Sequence, residues 1–412
     1  MRDGIDKLTH CVVCGQRLTG NHKCPKRTIA GILAAERRAE NWDDPEHPSL
    51  PPDAMYPRKC VLHLPVADTA VWENARETLE RGISFLTGDC WSLSFRELAE
   101  GADDELPFAE SQDESEVDAV VLCSGGLDSL AGAMARASDG SRIALVGHYG
   151  GGSTAKFQHD VMNALCAAPG LDMQQLSFHV LPPQLPGCGE DTMRSRSLLF
   201  LGLGIAVANA YGPCVPVIVP ENGLIGLNVP LTGARVGSAS TRTTHPHFIS
   251  CLNEVVQIIR LNNDIALPYR FKTKGEMLVE ADSDLLRETM ALSMSCSHPE
   301  QSRWEGETPG HHCGYCLPCM IRHAAVVRAG LTAFDAQYTH DLSSGTTSVT
   351  GAKARDCRAV RMAIERLRRH GTERDVFAVL DTGPLPPEEV QQYASVYRRG
   401  MQELAGLFGE SL

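Results

Sequence analysis

The stretch Ala119-Val120-Val121-Leu122-Cys123-Ser124-Gly125-Gly126-Leu127-Asp128-Ser129 decides how the rest of this chain is read. The apolar run suits a buried strand, and Leu130 to Ala137 reads as a helix. Between them, Gly125 and Gly126 carry no Cβ, so the backbone can turn sharply and lay its N–H groups against phosphate oxygens. Ser124 and Ser129 add hydroxyl donors, and the positive end of the helix faces the same anion. Bare phosphate would repel Asp128, which is therefore read as a Mg²⁺ ligand, direct or through water. The segment has neither the Gly-Lys-Ser/Thr of a Walker loop nor the G-x-G-x-x-G of a dinucleotide loop. An ordinary glycine-rich strand-to-helix turn is the plainer alternative for the same residues.

Downstream, strands and helices alternate. Ile143 to Val146, Leu176 to Leu181 and Val215 to Val219 read as strands; Thr154 to Ala168 and Ser197 to Ala210 read as helices. This alternation predicts an α/β fold, a parallel sheet with helices on both faces. Ligands of such sheets sit at the carboxyl ends of the strands. The Ser-Gly-Gly loop, His148-Tyr149-Gly150 and Glu221-Asn222-Gly223 all follow predicted strands there. Upstream, Lys59 to Leu64 alternates like a strand and Thr69 to Glu80 suits a helix. Ile83–Leu86 and Cys90–Phe95 read as a hairpin around Thr87-Gly88-Asp89. The acidic stretch Glu110 to Glu116 marks a boundary. It separates an N-terminal α+β extension, 1–112, from a domain over 117–345. A helical tail, 346–412, follows, with helices over Ala352 to His370 and Pro387 to Phe408; its expected role is packing alone.

At 412 residues the chain has room for two or three domains, and 43% apolar with 22% charged residues is ordinary for a globular protein. No apolar run approaches a membrane span. Met1 to Asp6 lacks the apolar core of a signal peptide, which predicts a cytoplasmic protein. There the 15 cysteines are expected to be metal ligands and buried thiols rather than a disulfide framework. The net charge of −13 speaks against a broad nucleic-acid footprint. The basic stretch Arg358 to Arg369 alternates with apolar residues at helical spacing and reads as a solvated helix face.

Cys313-Gly314-Tyr315-Cys316-Leu317-Pro318-Cys319 lets three thiolates wrap one ion, and Cys296, 17 residues upstream, can close the fourth corner. Four sulfurs are the complete set of a closed structural Zn²⁺ site; an Fe–S cluster is the alternative. His311, His312 and His323 are then not ligands, and a filled shell holds the fold rather than doing chemistry. A looser group, Cys11, Cys14, His22 and Cys24, is either a second zinc knuckle or a thiol-bearing terminus.

The loop and the four-cysteine block together resemble the 7-cyano-7-deazaguanine synthase (QueC-like) family of PP-loop ATP pyrophosphatases. The resemblance covers about residues 117–330. It rests on residues 124–129, Tyr149-Gly150, Arg196 ahead of the apolar helix, Thr273-Lys274-Gly275-Glu276, Ser295-Cys296, and Cys313-x-x-Cys316-x-x-Cys319-x-x-Arg322. It implies an adenine-nucleotide α-hydrolase-like fold that binds ATP, Mg²⁺ and Zn²⁺. ATP would lie on Ser124, Gly125, Gly126, Leu127, Asp128 and Ser129, with adenine along Val146, His148 and Tyr149. Asp128, Lys274 and Arg196 would be catalytic. The family's reaction is attack of the 7-carboxy-7-deazaguanine carboxylate on the α-phosphate, release of pyrophosphate, and amide formation with an amine; a second ATP can dehydrate the amide to the nitrile. Plainer readings remain: Lys274 and Glu276 as a surface helix start, and Arg196 as a structural ion-pair partner.

The chain also departs from that pattern. Gly151-Gly152-Ser153 replaces the family's Gln-Arg-His, and Ser197 its Asn. The Tyr-Pro-Asp-Cys-Arg substrate block gives way to Glu221 to Leu231 and Ser240 to Pro246. Glu221, Asn222, Arg242 and Thr244 are the expected substrate contacts in its place. The long extension and the tail make the layout similar to the QatC-like branch found in bacterial anti-phage gene clusters such as the Qat system. That branch would place the acceptor amine on a partner protein; a homodimer is also admitted. Rival readings are a nitrile-forming synthase, a tRNA-modifying PP-loop enzyme using Cys188, Cys214 or Cys251, and a non-catalytic nucleotide-sensing scaffold.

Overall fold

The computed structural model describes residues 58–97, 116–149, 154–180, 195–231, 242–300, 311–342, 349–351 and 353–412. Cys11, Cys14, His22 and Cys24, residues 110–115 of the acidic stretch, Gly151-Gly152-Ser153 and Cys188 lie outside the described residues.

In chain order the elements are β1 (Lys59–Val66), α1 (Thr69–Thr87), β2 (Cys90–Glu97), β3 (Ala119–Leu122), α2 (Leu127–Ala137), β4 (Ile143–His148), α3 (Thr154–Cys166), β5 (Met173–Phe178), α4 (Arg196–Tyr211), β6 (Val217–Ile218), α5 (Gly223–Leu227), α6 (Pro246–Ile258), β7 (Ile265–Ala266), α7 (Lys274–Ala281), α8 (Asp284–Thr289), α9 (Leu317–Ala329), α10 (Arg355–His370), α11 (Glu373–Leu380) and α12 (Val390–Leu407). Five strands form a sheet in the order β5-β4-β3-β6-β7, and β1 pairs with β2 separately. The fold class is α/β, with a parallel sheet and helices. No described helix is long and apolar enough to cross a membrane.

The chain groups into two compact units, each built from several stretches. One comprises Met1–Val120, Phe178–Val217 and Ala234–Ala266; the other comprises Val121–Ser177, Ile218–Gly233 and Leu267–Leu412.

In the first unit the expected hairpin does not form. β1 and β2 run parallel, with Lys59 opposite Cys90 and Val66 opposite Glu97, so α1 is the crossover of a βαβ unit. Ile83 to Leu86 is the last turn of α1, because Ala75, Leu79, Ile83 and Leu86 continue one buried stripe. Thr87-Gly88-Asp89 is a helix end: Gly88 takes φ +76° and its N–H reaches Ser84 O at 2.9 Å. Asp68 caps the other end of α1 by accepting from Val71 N. Buried Asp89 accepts from Arg58 N and Nε at 3.0 and 3.1 Å, which ties the start of β1 to the start of β2. α1 packs on α6, where Thr78 and Arg81 meet Glu254 at 2.8 and 2.9 Å.

In the second unit the tail helices close over an apolar cluster that includes Leu224, Met320, Ile321, Val360, Ile364, Val396, Met401 and Leu404. α9 packs against α7 and α12, and α12 against α10 and α11. The tail reading anticipates α10 and α12. It misses α11, which Arg398 of α12 secures by pairing with the buried Asp375.

His245 is fully buried at the N-cap of α6, where its Nδ1 accepts from His247 N at 3.2 Å and its ring packs 4.8 Å from Phe85. Burial pushes its pKa down from 6.5 to about 3. The folded value lies below the unfolded one, so the stabilisation is complete above pH 6.5 and is lost as pH falls toward 3. Between pH 7 and pH 5 the loss is about 2 kcal/mol. His245→Asn, which retains a capping oxygen, should show a thermal midpoint that falls less steeply over this interval than wild type. Equal slopes would overturn the assignment.

Candidate functional site

β3 is wholly buried and delivers Cys123, whose N–H bonds Val146 O of β4 at 2.8 Å. The chain then turns at Gly125, with φ +80°. A Cβ there would stand 2.6 Å from Gln158 Cα, so conformation and space both demand glycine. Gln158, buried on α3, donates from Nε2 to Cys123 O at 2.8 Å and to His148 O at 3.4 Å. Gly125 O accepts from Met294 N at 2.9 Å. Ser129 Oγ donates to Gly126 O at 2.8 Å, and the Cys123 thiol points at Ser129 Oγ. The Ser129 hydroxyl, expected to donate to phosphate, is thus committed to the loop, whereas Ser124 is exposed and accepts from Gly126 N at 3.3 Å. Burial pushes the Cys123 thiol up to about 11, which leaves it protonated and unreactive at neutral pH.

Leu127, Asp128 and Ser129 begin α2, and first-turn amides have no partner inside their own helix. Into this turn the fold brings two further residues. Lys274 Nζ stands 2.7 Å from Asp128 Oδ1, with both side chains largely shielded (7% and 14% exposed). Asn222 Nδ2 donates to Asp128 Oδ2 at 2.7 Å. Asn222 was expected to contact substrate, but it is fully buried and also caps α5, its Oδ1 accepting from Ile225 N at 3.1 Å. That bond fixes which way the amide faces, so Nδ2 must be the end that meets Asp128. Removing one member of such a shielded ion pair typically costs about 3–5 kcal/mol.

Lys274 opens α7 behind a capping box. Thr273 Oγ1 accepts from Glu276 N at 3.1 Å, and the Glu276 carboxylate accepts from Thr273 N at 2.9 Å. Half of the Thr-Lys-x-Glu block is therefore helix punctuation. Lys274 is buried, which excludes the surface reading. The tail, expected only to pack, supplies polar support. Glu403 accepts from Thr273 Oγ1 and from Gly275 N, and Arg399 Nε donates to Glu276 at 2.6 Å. Burial raises the Glu403 pKa, with Thr273 and Arg328 opposing it. No local signal in the sequence marks this role, since Arg399 and Glu403 sit with Arg398 on an ordinary amphipathic helix, α12.

Of the other expected site residues, Val146 is buried with its carbonyl in the sheet ladder, His148 ends β4 and Tyr149 follows it. Glu221 precedes Asn222, its N–H bonding Val219 O at 2.9 Å. Arg196, Arg242 and Thr244 belong to the first unit. Arg196 is the first residue of α4, and Thr244 is buried just ahead of α6. Arg242 donates to Phe85 O at 3.0 Å and lies 4.5 Å over the Phe85 ring, a structural engagement that also desolvates it and lowers its pKa. Cys251 is buried and Cys214 exposed.

The Sγ atoms of Cys296, Cys313, Cys316 and Cys319 all lie within 4.8 Å of one another, Cys296–Cys316 at 4.0 Å and Cys313–Cys319 at 3.9 Å. A zinc tetrahedron with about 2.3 Å bonds has edges of about 3.8 Å, so these residues could hold a metal such as zinc. Cys313 N and His298 N donate to Cys296 Sγ at 3.4 and 3.2 Å, the outer hydrogen bonds that a thiolate ligand requires. Hydrogen bonding, first from Cys296, drives the Cys316 pKa far down, so the group readily holds a thiolate. Among the described residues this is the one such cluster, and His311, His312 and His323 stand outside it. His312 accepts from Ser295 N at 3.1 Å, and His323 stacks on Tyr338 at 4.6 Å.

Compared with known proteins, the chain matches no protein-family model and no curated protein.

Purified protein should carry about one zinc per chain, and Cys316→Ser should lose it together with thermal stability. Elemental analysis and a melting curve check this; metal-free wild type with an unchanged midpoint would overturn it. Asn222→Ala should cost about 2–3 kcal/mol in denaturant unfolding, because it strips both a cap and a partner of a shielded carboxylate.

Proposed function

We propose that this chain is a PP-loop ATP pyrophosphatase with the adenine-nucleotide α-hydrolase-like fold. In this reading it adenylates a carboxylate of the 7-carboxy-7-deazaguanine type and passes the acyl group to an amine. The observation that carries the reading is the Asp128–Lys274 pair, 2.7 Å apart, in the first turn of a helix that follows a Ser-Gly-Gly loop at the end of a buried strand. A carboxylate alone would repel a polyphosphate and an ammonium alone would attract it. Side by side, they suit a polyphosphate that arrives with a divalent cation.

Mg²⁺ would supply charge neutralisation for the leaving pyrophosphate. Asp128 would hold that cation while Asn222 keeps the carboxylate oriented. Lys274, released from Asp128, would turn its ammonium to the phosphate oxygens. The amides of the loop and of the first turn of α2 would take the rest of the pyrophosphate. The substrate carboxylate oxygen attacks the α-phosphorus and the bond to the β-phosphate bridge breaks. An amine nitrogen then attacks the acyl carbon and gives up a proton, and the acyl carbon–oxygen bond breaks as AMP leaves with that oxygen and the bonding pair. Catalysis of this kind rests on positioning and charge. Arg196 is a further catalytic candidate by resemblance alone. The substituted segment from Glu221 onward favours an amide as end product over the nitrile, and the long extension and tail favour, by resemblance, a partner protein as the amine. The thiol-rich composition suits the cytoplasm.

The test is release of AMP and pyrophosphate from Mg-ATP, with and without 7-carboxy-7-deazaguanine. Release should depend on the carboxylate and should fall at least about 100-fold in Asp128→Asn, a variant that keeps the side-chain shape. ATP binding without AMP release would instead make the chain a nucleotide-sensing scaffold. Intact-mass spectra distinguish an adduct on a partner protein from free nitrile.

A further inference from the structure

Two features described separately, the glycine loop and the four-cysteine site, are joined by the short segment 290–296. Its middle touches the loop: Met294 N–H donates to Gly125 O at 2.9 Å, and Met294 O lies 3.7 Å from where a Cβ on Gly126 would be. Its far end is Cys296, one of the four thiols, and Ser295 N is held at 3.1 Å by His312, the neighbour of Cys313.

The rest of the segment is held by Arg322, a fully buried arginine on α9 one turn beyond Cys319. Its Nη1 donates to Ser293 O at 3.1 Å and Ser293 Oγ at 2.8 Å, and its Nη2 to Met290 O at 2.9 Å. Asp335 balances the charge at 2.7 Å and in turn accepts from Tyr338 Oη at 2.6 Å. A buried guanidinium is costly unless each donor is placed. Here the donors fix the backbone carbonyls of the segment that abuts the loop.

We propose that the four-cysteine site sets the conformation of the Ser-Gly-Gly loop through this segment, with Met294 as the positioning residue that makes the contact. This rests on the reading that the loop binds nucleotide phosphate, but the contact itself can be tested without nucleotide. Ordering of the thiols by a metal fixes Cys296 and the start of α9. These fix 290–296, and the Met294 N–H holds the Gly125 carbonyl. Coupling of this kind is reciprocal. Phosphate bound at the loop therefore slows loss of the metal.

The experiment compares Met294→Pro with Met294→Ala in the full chain. Both lose the side chain, and proline alone loses the N–H. Ser293 already has φ −83° and ψ 147°, a conformation that a following proline accepts. Both variants should keep about one zinc per chain. Amides of 124–130 should exchange hydrogen about five- to tenfold faster in Met294→Pro than in Met294→Ala, the worth of one backbone hydrogen bond. ATP should bind Met294→Pro weaker by a similar factor, and ATP should slow extraction of zinc by a chelator in Met294→Ala but not in Met294→Pro. Equal loop exchange in the two zinc-loaded variants would overturn the proposal. A wild type that binds no ATP, with the two variants still differing in loop exchange, would remove the nucleotide reading and leave the coupling standing.

Discussion

A carboxylate and an ammonium shielded together from water constrain everything around them. Asp128 and Lys274 are brought together by three elements, each of which places one polar group at the pair or supports one. α2 presents Asp128 in its first turn, where the helix end already favours a negative charge. α5 begins at Asn222, whose capping bond orients the amide toward Asp128. α7 begins at Lys274 behind a capping box that Glu403 and Arg399 of α12 reinforce. Three helix starts converge on one charge pair, so the position of each is set by the others.

The same logic recurs at Arg322 and Asp335. Buried charge is tolerated because every guanidinium edge meets a carbonyl, a hydroxyl or the Asp335 carboxylate. The thiol cluster beside it is a third case, in which a bound cation would balance thiolates that burial otherwise disfavours. The loop thus stands on polar struts. An apolar core defines distances loosely because neighbouring side chains can repack, whereas hydrogen-bonded charge fixes direction as well as distance.

The functional elements were legible where chemistry demands a residue type at a fixed spacing. The Ser-Gly-Gly turn follows from φ +80° at Gly125 and the contact with Gln158, which exclude a side chain. The Cys-x-x-Cys-x-x-Cys run likewise brings its sulfurs together in the fold. Local patterning misled where two structures share one signal. Thr87-Gly88-Asp89 has the composition of a hairpin turn and of a helix end, and the buried stripe of α1 decides for the helix end. The protein partners of Asn222 are its own helix and Asp128, distant in sequence, which no local pattern shows. Nothing local marks Glu403 or Arg399 as supports of Lys274, because their contacts span more than a hundred residues.

By itself the sequence determined the α/β class, the strand-loop-helix around Asp128, the four-sulfur site and the helical tail. Each of these follows from periodicity or from short-range stereochemistry. Only the tertiary structure decided that Lys274 and Asn222 meet Asp128, that β1 and β2 run parallel, that Arg242 engages Phe85, and that Met294 bonds the loop. These are long-range pairings, selected by which buried charges and backbone groups find partners when the helices close, and no window of sequence contains both members of such a pair.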